Sequence, residues 1–217
     1  MIKLVIFDLD GTLIDSLNDL ADASNKALAE CGYPPHAVER YRFFVGNGVI
    51  RLIERILPED ARTEDNIRKV HEGFDKYYSQ GYNVHTRPYK GIRELLDSLH
   101  EQGIMTAVAS NKPDGFTQLI VKEMLGDSFD CVCGKKDGFE KKPDPGIIFH
   151  ILEKLGVTPE EALLAGDSDV DIHTAHNAHI ESIGCTWGFR PREELEEAGA
   201  DNIVDSPDKI LSIAAAK

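Results

Sequence analysis

Short apolar runs and helical segments alternate regularly from Pro88 to the C-terminal end of the sequence. The runs that predict strands are residues 104–109, 129–133, 162–165, 181–185 and 202–204, and the segments that predict helices are 91–102, 116–124, 145–155, 170–178 and 192–198. Alternation of this kind is typical of a parallel sheet whose strands are joined by right-handed crossovers. A further apolar run at 3–8 predicts a buried N-terminal strand. The expected fold class is therefore α/β, with a Rossmann-like parallel sheet as its core.

The segment 16–82 interrupts this alternation, because its apolar residues recur only at the spacing of amphipathic helices. Leu52, Ile53 and Ile56, for example, share one predicted helix face, and no run in the segment predicts a strand. An all-helical stretch between the first strand and the rest of the sheet indicates an insertion. We therefore predict two domains, an α/β core of residues 1–15 and 83–217 and a small inserted helical cap domain of residues 16–82.

The charge and the apolar pattern exclude several classes of partner. The net charge is −14, from 38 acidic and 24 basic residues, whereas surfaces that bind nucleic acid are usually basic. No apolar stretch approaches the roughly 20 residues that span a bilayer, and the N-terminal run leads into acidic residues instead of a cleavage site. We therefore expect a cytoplasmic protein with no nucleic-acid or membrane partner, whose four cysteines are reduced structural thiols.

Polar residues follow three of the predicted strands at the point where each strand ends. These groups are Asp8-Leu9-Asp10-Gly11, Ser110-Asn111-Lys112 and Gly166-Asp167-Ser168-Asp169-Val170-Asp171. Ligands of open parallel sheets bind outside the carboxyl ends of the strands, so the three groups are expected to converge on one crevice. Lys142, which precedes the predicted helix 145–155, is a fourth candidate for the same crevice.

These side chains suit the cleavage of a phosphate ester. One of the carboxylates Asp8 and Asp10 can attack phosphorus, and the other can protonate the leaving oxygen and later activate water. Asp167 and Asp171 add negative charge that requires a cation, and Mg²⁺ fits because it prefers oxygen ligands. The serine and lysine candidates would hold the non-bridging oxygens of the phosphate. Each group alone is also ordinary turn or helix-cap chemistry, so it is their joint occurrence that favours an enzyme.

With these residues in place, the sequence resembles the haloacid dehalogenase superfamily and, within it, the phosphoglycolate phosphatase-like branch. The four motifs of the superfamily are matched by residues 8–16, by Ser110 within 108–112, by Lys142, and by Gly166-Asp167-Ser168 together with Asp171. The match spans nearly the whole chain and places a cap between the first and second motifs. The resemblance implies a phosphoric monoester hydrolase whose cap closes over the site and reads the leaving group.

The resemblance also implies a role for each matched carboxylate. Asp8 is the expected nucleophile and a Mg²⁺ ligand. Asp10 is the expected general acid and base, and its backbone carbonyl is a further expected Mg²⁺ ligand. Asp167 is expected to bind Mg²⁺ directly, and Asp171 to hold a metal-bound water. An acid at the position of Asp10 separates the phosphatases of the superfamily from its dehalogenases.

The expected phosphate-binding residues are Ser110, Asn111 and Lys142, with Lys142 also steadying Asp8. The resemblance makes 2-phosphoglycolate the first choice among small phosphorylated metabolites. Related caps serve phosphosugars, nucleotides and pyrophosphate, and a β-phosphoglucomutase-like phosphotransferase or a non-catalytic binding protein remains an alternative. The sequence leaves open whether the protein is a monomer or a homodimer.

Three further features have two interpretations each. They are the loop glycines Gly46 and Gly48, the segment 186–190, and the histidines His173, His176 and His179. The glycines either bring backbone amides close to the substrate or simply connect helices. The segment 186–190 is similar to the branch and contains Trp187, for which a structural role is expected over a catalytic one. Histidines at this spacing either bind a transition metal from one helix face or are solvated or capping side chains, and the branch usually has glycine where His179 stands.

Overall fold

The computed structural model describes residues 1–138 and 140–216, and it divides into two compact units. The first unit contains Met1–Ile14 and Pro88–Lys217, and the second contains Asp15–Arg87. The predicted insertion, residues 16–82, lies inside the second unit. That unit also includes Asp15 and residues 83–87, which the sequence had assigned to the core.

The strands belong to two sheets. In chain order they are β1 (Leu4–Phe7), β2 (Ile14–Asp15), β3 (Arg87–Pro88), β4 (Met105–Pro113), β5 (Cys131–Lys135), β6 (Ala162–Gly166), β7 (Glu181–Cys185) and β8 (Asn202–Val204). Six of them form one sheet in the order β5-β4-β1-β6-β7-β8 with parallel pairing, and β2 pairs with β3. The predicted α/β class with a parallel sheet is therefore confirmed, and β2 and β3 are additions that the sequence did not predict.

Strand β1 lies at the centre of the larger sheet, between β4 and β6. All four of its residues are fully buried, which explains why its sequence is a continuous apolar run instead of an alternating one. Val5 is in register with Thr106 of β4 and with Leu163 of β6. The carboxyl ends of β1, β4 and β6 consequently lie side by side at one edge of the sheet.

The helices follow the strands in the first unit and make up the second. Those of the second unit are α1 (Leu17–Glu30), α2 (Tyr41–Phe44), α3 (Val49–Ile56) and α4 (Glu64–Gly81), and those of the first are α5 (Ile92–Glu101), α6 (Asp114–Leu125), α7 (Gly146–Leu155), α8 (Asp169–Asn177), α9 (Arg192–Glu197) and α10 (Asp208–Ala215). The predicted helical insertion is confirmed. Helix α10 was not predicted, because it is short and buries few apolar side chains, Ile210 and Ala214.

The second unit is organised around the packing of α1 against α4. Asp19 of α1 is a buried carboxylate, 2% exposed, that accepts hydrogen bonds from the backbone amides of His85 and Thr86 and from the Thr86 hydroxyl at 2.7 Å. Three donors compensate for the burial of this charge. Asp19 thereby ties the start of α1 to the segment that ends the unit.

The expectations about the cysteines and about membrane-spanning segments concern the whole chain. The four cysteines are free thiols, and the Sγ atoms of Cys131 and Cys133 lie 3.6 Å apart in the core of the first unit. Across residues 1–138 and 140–216, the helices are all too short or too polar to cross a bilayer.

Candidate active site

Three carboxylates come together at the carboxyl edge of the sheet. Asp8 directly follows β1, Asp167 directly follows β6, and Asp171 lies in the first turn of α8. One oxygen from each lies within 4.8 Å of the others. Because β1 and β6 are neighbours, the parallel register brings the first two together. Ser168 positions the third carboxylate, Asp171, because its hydroxyl donates to Asp171 Oδ2 at 2.7 Å in a capping box that begins α8.

Lys142 is the buried cation of this cluster. Its Nζ donates to Asp8 Oδ1 and to Asp171 Oδ1, both at 2.7 Å, and to the carbonyl of Ala109 at 2.8 Å. The residue is only 4% exposed, so these acceptors replace the water that an ammonium group would otherwise bind. The sequence placed Lys142 near Asp8, and the structure shows that it also contacts Asp171.

Asn111 fixes the backbone of Lys142 to strand β4. Its Oδ1 accepts from the Lys142 amide at 2.8 Å, and its Nδ2 donates to the Lys142 carbonyl at 3.1 Å. This reciprocal pair holds Lys142 across a sequence gap of 31 residues. The sequence suggested Asn111 as a phosphate ligand. In the structure its side chain bonds to the backbone of Lys142, which is another of the expected phosphate-binding residues. Ser110 lies beside it, 3% exposed, and its Oγ accepts from the Lys112 amide at 3.2 Å.

The electrostatics of the cluster favour an additional cation. The pKa of Asp8 is raised to about 7 because burial raises it more than the charge of Lys142 lowers it, and the charge of Asp171 contributes to the rise. Burial also raises the pKa of Asp167 well above its usual range, and the charges of Asp171 and Asp8 add to this shift. Burial acts to lower the pKa of Lys142, but the charges of Asp171 and Asp8 outweigh it, so the net shift is upward. One ammonium group is therefore not enough to stabilise three ionised carboxylates.

This donor set fits a hard divalent cation. The ligand atoms are carboxylate oxygens, which Mg²⁺ prefers. The combined negative charge of the three ionised carboxylates exceeds the single positive charge of Lys142. Asp8, Asp167 and Asp171 are the residues that would hold it. A cation bound here would also lower the raised pKa values of Asp8 and Asp167, because it favours their ionised forms.

Asp10 forms a second ion pair next to this cluster, with Lys112, for which no role was predicted from the sequence. Lys112 Nζ lies 3.0 Å from Asp10 Oδ1 and 2.9 Å from Oδ2. The lysine side chain is 5% exposed and that of Asp10 is 13% exposed. Lys112 was visible in the sequence as the residue after Ser110-Asn111. Its partner was not, because the two residues are 102 positions apart.

Asp167 is held by two donors that the sequence also missed. The Thr12 hydroxyl donates to Oδ1 at 3.2 Å, and the backbone amide of Phe189 donates to Oδ2 at 2.7 Å. Both bonds act to lower the pKa of Asp167, in opposition to burial. A backbone donor carries no side-chain signature, so only the similarity of segment 186–190 to the branch could have pointed to Phe189.

The remaining sequence candidates are two loop glycines and three histidines. Gly46 and Gly48 belong to the second unit and have φ values of 115° and 82°, so both occupy backbone conformations that favour glycine. Gly48 directly precedes α3. His176 lies 3.6 Å from Asp201, and His179 has a φ of 57° just after α8. The three histidines do not form a metal-binding group among the described residues.

Comparison with known proteins agrees with this geometry. A family model described as haloacid dehalogenase-like hydrolase matches residues 5–185. The phosphoglycolate phosphatase of Vibrio parahaemolyticus is 37% identical over 220 residues, which cover 99% of this chain and 96% of that protein. Two solved structures, provisionally assigned as phosphoglycolate phosphatases, come from Lactobacillus delbrueckii (TM-score 0.94, 33% identity, 98% of both chains) and Haemophilus somnus (TM-score 0.91, 32% identity, 98% of this chain and 97% of that one). The chain therefore belongs to the haloacid dehalogenase-like hydrolase family.

Proposed function

We propose that this hydrolase is a Mg²⁺-dependent phosphatase that cleaves 2-phosphoglycolate through an aspartyl-phosphate on Asp8. The observation that carries the proposal is the Asp8 carboxylate, bonded to Lys142 at 2.7 Å within a cluster of three carboxylates. The choice of substrate is supported by relatives named phosphoglycolate phosphatase, which are 33–37% identical and match over nearly all of this chain.

In the first half-reaction, an oxygen of Asp8 attacks phosphorus, and the bond from phosphorus to the ester oxygen breaks. Asp10 donates a proton to that oxygen, so that it leaves as the neutral hydroxyl group of glycolate. Ser110 binds a non-bridging oxygen, and the Lys142 ammonium, which is bonded to Asp8, offsets the charge of the non-bridging oxygens in the transition state. Asn111 contributes by holding the backbone of Lys142 in place.

In the second half-reaction, Asp10 takes a proton from water, and the resulting hydroxide attacks the phosphorus of the aspartyl-phosphate. The bond between Asp8 and phosphorus breaks, and inorganic phosphate is released. Asp8, Asp167 and the Asp10 carbonyl would hold Mg²⁺ directly and Asp171 would hold it through a water, and the cation would supply charge compensation for the carboxylate nucleophile and the phosphate. The oxygen-only donor set described above is the reason for proposing Mg²⁺ over a transition metal.

The helical insertion is proposed to select the ester. All phosphomonoesters present the same phosphoryl group, so discrimination requires contacts with the leaving group. Apart from Asp15 and Ser16 at its start, the second unit contains none of the sequence motifs of the chemistry. We therefore assign substrate choice to residues of this unit, with the loop that contains Gly46 and Gly48 as the first candidate.

The proposal is tested by a screen of small phosphomonoesters with and without Mg²⁺. We expect release of inorganic phosphate from 2-phosphoglycolate at the highest kcat/KM, and loss of turnover in EDTA. Labelled substrate should transfer its phosphate to Asp8 in a single turnover. Asp8→Asn should abolish labelling and turnover, because an amide is a far poorer nucleophile, whereas Asp97→Asn, at an exposed carboxylate of α5, should leave both unchanged. Label on another residue would contradict the mechanism, and return of phosphate to a sugar would indicate a phosphotransferase.

A further inference from the structure

The segment that follows β7 contacts the candidate metal ligand Asp167 and also Thr12, which itself bonds to Asp167. The Phe189 amide donates to Asp167 Oδ2 at 2.7 Å, and Gly188 packs against the Asp167 side chain. The indole Nε1 of Trp187 donates to the carbonyl of Thr12 at 3.0 Å, and the Thr12 hydroxyl donates to Asp167 Oδ1 at 3.2 Å. We call these four residues, Thr12 with Trp187, Gly188 and Phe189, the Asp167 clamp.

Gly188 is required in the clamp for reasons of space. A Cβ at this position would lie less than 3.0 Å from atoms of Asp167 and from the carbonyl oxygen of Gly11. Its φ is not in the left-handed region, so backbone freedom does not explain the glycine. The absence of a side chain allows the backbone of segment 187–189 to approach Asp167 closely enough for the Phe189 amide to bond to it.

The clamp is itself held in place at both ends. Thr12 is fully buried, and Trp187 joins its backbone across 175 residues of sequence. At the far end, Arg190 Nε lies 3.1 Å from Glu194 Oε1 in α9, and Arg190 is 9% exposed. The donors that face Asp167 are therefore fixed from the turn after β1 and from the start of α9.

We propose that the Asp167 clamp is a positioning device that sets the orientation of the Asp167 carboxylate for the cation. This inference rests on the proposed function, which makes Asp167 a direct ligand. Each carboxylate oxygen offers about two acceptor sites, so a single hydrogen bond to Oδ1 and to Oδ2 restrains the group and still leaves sites for a cation. A carboxylate restrained in this way loses less freedom when the cation binds, which raises the affinity of the site.

Thr12 provides the sharpest test, because two substitutions separate its hydroxyl from its shape. Thr12→Val keeps the branched volume in a buried position and removes the donor, whereas Thr12→Ser keeps the donor and removes a methyl group. Mg²⁺ binding to the metal-free protein should be measured by calorimetry and by the fluorescence of Trp187, the single tryptophan of the chain. We expect Thr12→Val to bind Mg²⁺ about tenfold more weakly, as for other losses of a hydrogen bond to a metal ligand, and Thr12→Ser to remain within about twofold of the wild type.

Gly188→Ala tests the close approach, with Gly115→Ala as the matched control. Both glycines have φ values outside the left-handed region, and an added Cβ at Gly115 in α6 meets nothing within 4 Å. We expect Gly188→Ala to weaken Mg²⁺ binding by at least about tenfold and Gly115→Ala to leave it unchanged. Melting temperatures in EDTA show whether each variant is folded. If Gly188→Ala does not fold, the comparison of the two Thr12 variants decides the question.

The outcomes separate this inference from the proposed function. Wild-type affinity in Thr12→Val, or equal losses in Thr12→Val and Thr12→Ser, would overturn the clamp and leave the phosphatase proposal intact. A wild-type protein that binds no Mg²⁺ would overturn the proposed function together with the clamp. Weaker binding in Thr12→Val with restored binding in Thr12→Ser supports both.

Discussion

Lys112 and Asp10 form a largely buried ion pair, and Asp10 is the acid and base of the proposed mechanism. The ammonium group contacts both oxygens of the carboxylate, at 3.0 and 2.9 Å, so it restrains the direction in which Asp10 can point. A general acid must be within hydrogen-bond reach of the oxygen that it protonates. In the proposed mechanism, the lysine would therefore act on the chemistry through Asp10, in addition to any role in stability.

We predict that Asp10→Asn slows phosphorylation of Asp8 by alkyl phosphates about 100-fold or more, since general acids contribute about 10²–10⁴-fold. Aryl phosphates with good leaving groups should be affected less, because their leaving oxygen needs little protonation. Single-turnover labelling of Asp8 measures this step separately from hydrolysis of the intermediate. Equal losses for the two classes of ester would contradict the acid role.

Lys112→Met should give the same pattern at smaller amplitude, with a loss of about tenfold for alkyl phosphates, because the acid is still present but poorly directed. The exposed Lys122 of α6 offers a matched control, and Lys122→Met should behave as the wild type. The melting temperature of each variant must be compared, since loss of one partner from a buried ion pair costs about 3–5 kcal/mol of stability. If Lys112→Met reduced labelling by alkyl and aryl phosphates equally, its role would be structural.

At the scale of elements, the C-terminal end of α8 explains why His179 has an unusual backbone conformation. Its amide donates to the His176 carbonyl at 3.1 Å, and the Ile180 amide donates to the Ala175 carbonyl at 3.0 Å. This pair of bonds is the Schellman motif, in which the residue after the C-cap takes a positive φ. His179 has a φ of 57°, which is costly for a residue with a Cβ. The histidine thus occupies a position whose backbone conformation favours glycine.

We predict that His179→Gly stabilises the protein by about 0.5–1 kcal/mol, because glycine adopts this conformation without strain. For a protein of this size, the gain corresponds to a rise in melting temperature of about 1–4 °C. His179→Ala serves as the control, because it removes the imidazole but keeps the Cβ, and it should produce no such rise. Equal stabilisation by both substitutions would show that the imidazole, and not the backbone conformation, is the source of the cost.

The same backbone argument applies to the loop before α3. Gly46 and Gly48 have positive φ, so a bulky residue at either position strains the loop whether or not the loop contacts substrate. A loss of activity in Gly46→Val or Gly48→Val would therefore not identify a substrate contact. The neighbouring Asn47 is the better position at which to test the proposed role of this loop in substrate choice.

For the molecule as a whole, the carboxylate cluster links stability to pH and to Mg²⁺. A carboxyl group whose pKa is higher in the folded state stabilises the fold while protonated, and this contribution is lost as the pH rises through the folded-state value. Burial raises the pKa of Asp8 from its usual 3.8 to about 7, and that of Asp167 is raised in the same direction. The metal-free protein should therefore lose this part of its stability between about pH 4 and pH 7.

We predict that Mg²⁺ restores the lost stability, and does so more at pH 8 than at pH 5.5, because protons compete with the cation for Asp8 and Asp167. At a concentration of about 100 times Kd, the gain from binding is about 2.7 kcal/mol, or several degrees in melting temperature. Melting curves in EDTA and in Mg²⁺ across this range measure it. Asp8→Asn is the control, since it removes the group with the raised pKa and should flatten the dependence on pH in EDTA. A melting temperature that rises with pH in EDTA, at the same rate in both proteins, would contradict this account.

The sequence alone was sufficient for the fold class and for the residues of the carboxylate cluster. The spacing of apolar residues indicates which face of each helix or strand is buried, so the parallel sheet and the helical insertion could be predicted from it. Asp8 and Asp167 could be predicted to meet because the carboxyl ends of parallel strands share one edge. Asp171 and Lys142 were candidates from their positions after a predicted strand and before a predicted helix, and the motif resemblance added an expected role for each.

Only the tertiary structure decided which partner each of these residues has. The ion pair of Lys112 with Asp10, the two bonds from Asn111 to the backbone of Lys142, and the Phe189 amide on Asp167 all join segments that are far apart in sequence. Contacts of this kind depend on strand register and on where a loop returns to the sheet. Neither is encoded in periodicity, and a backbone donor is the same in every residue but proline. The residue types of the site are thus a property of the sequence, whereas their orientation and their pKa values arise from the packing that surrounds them.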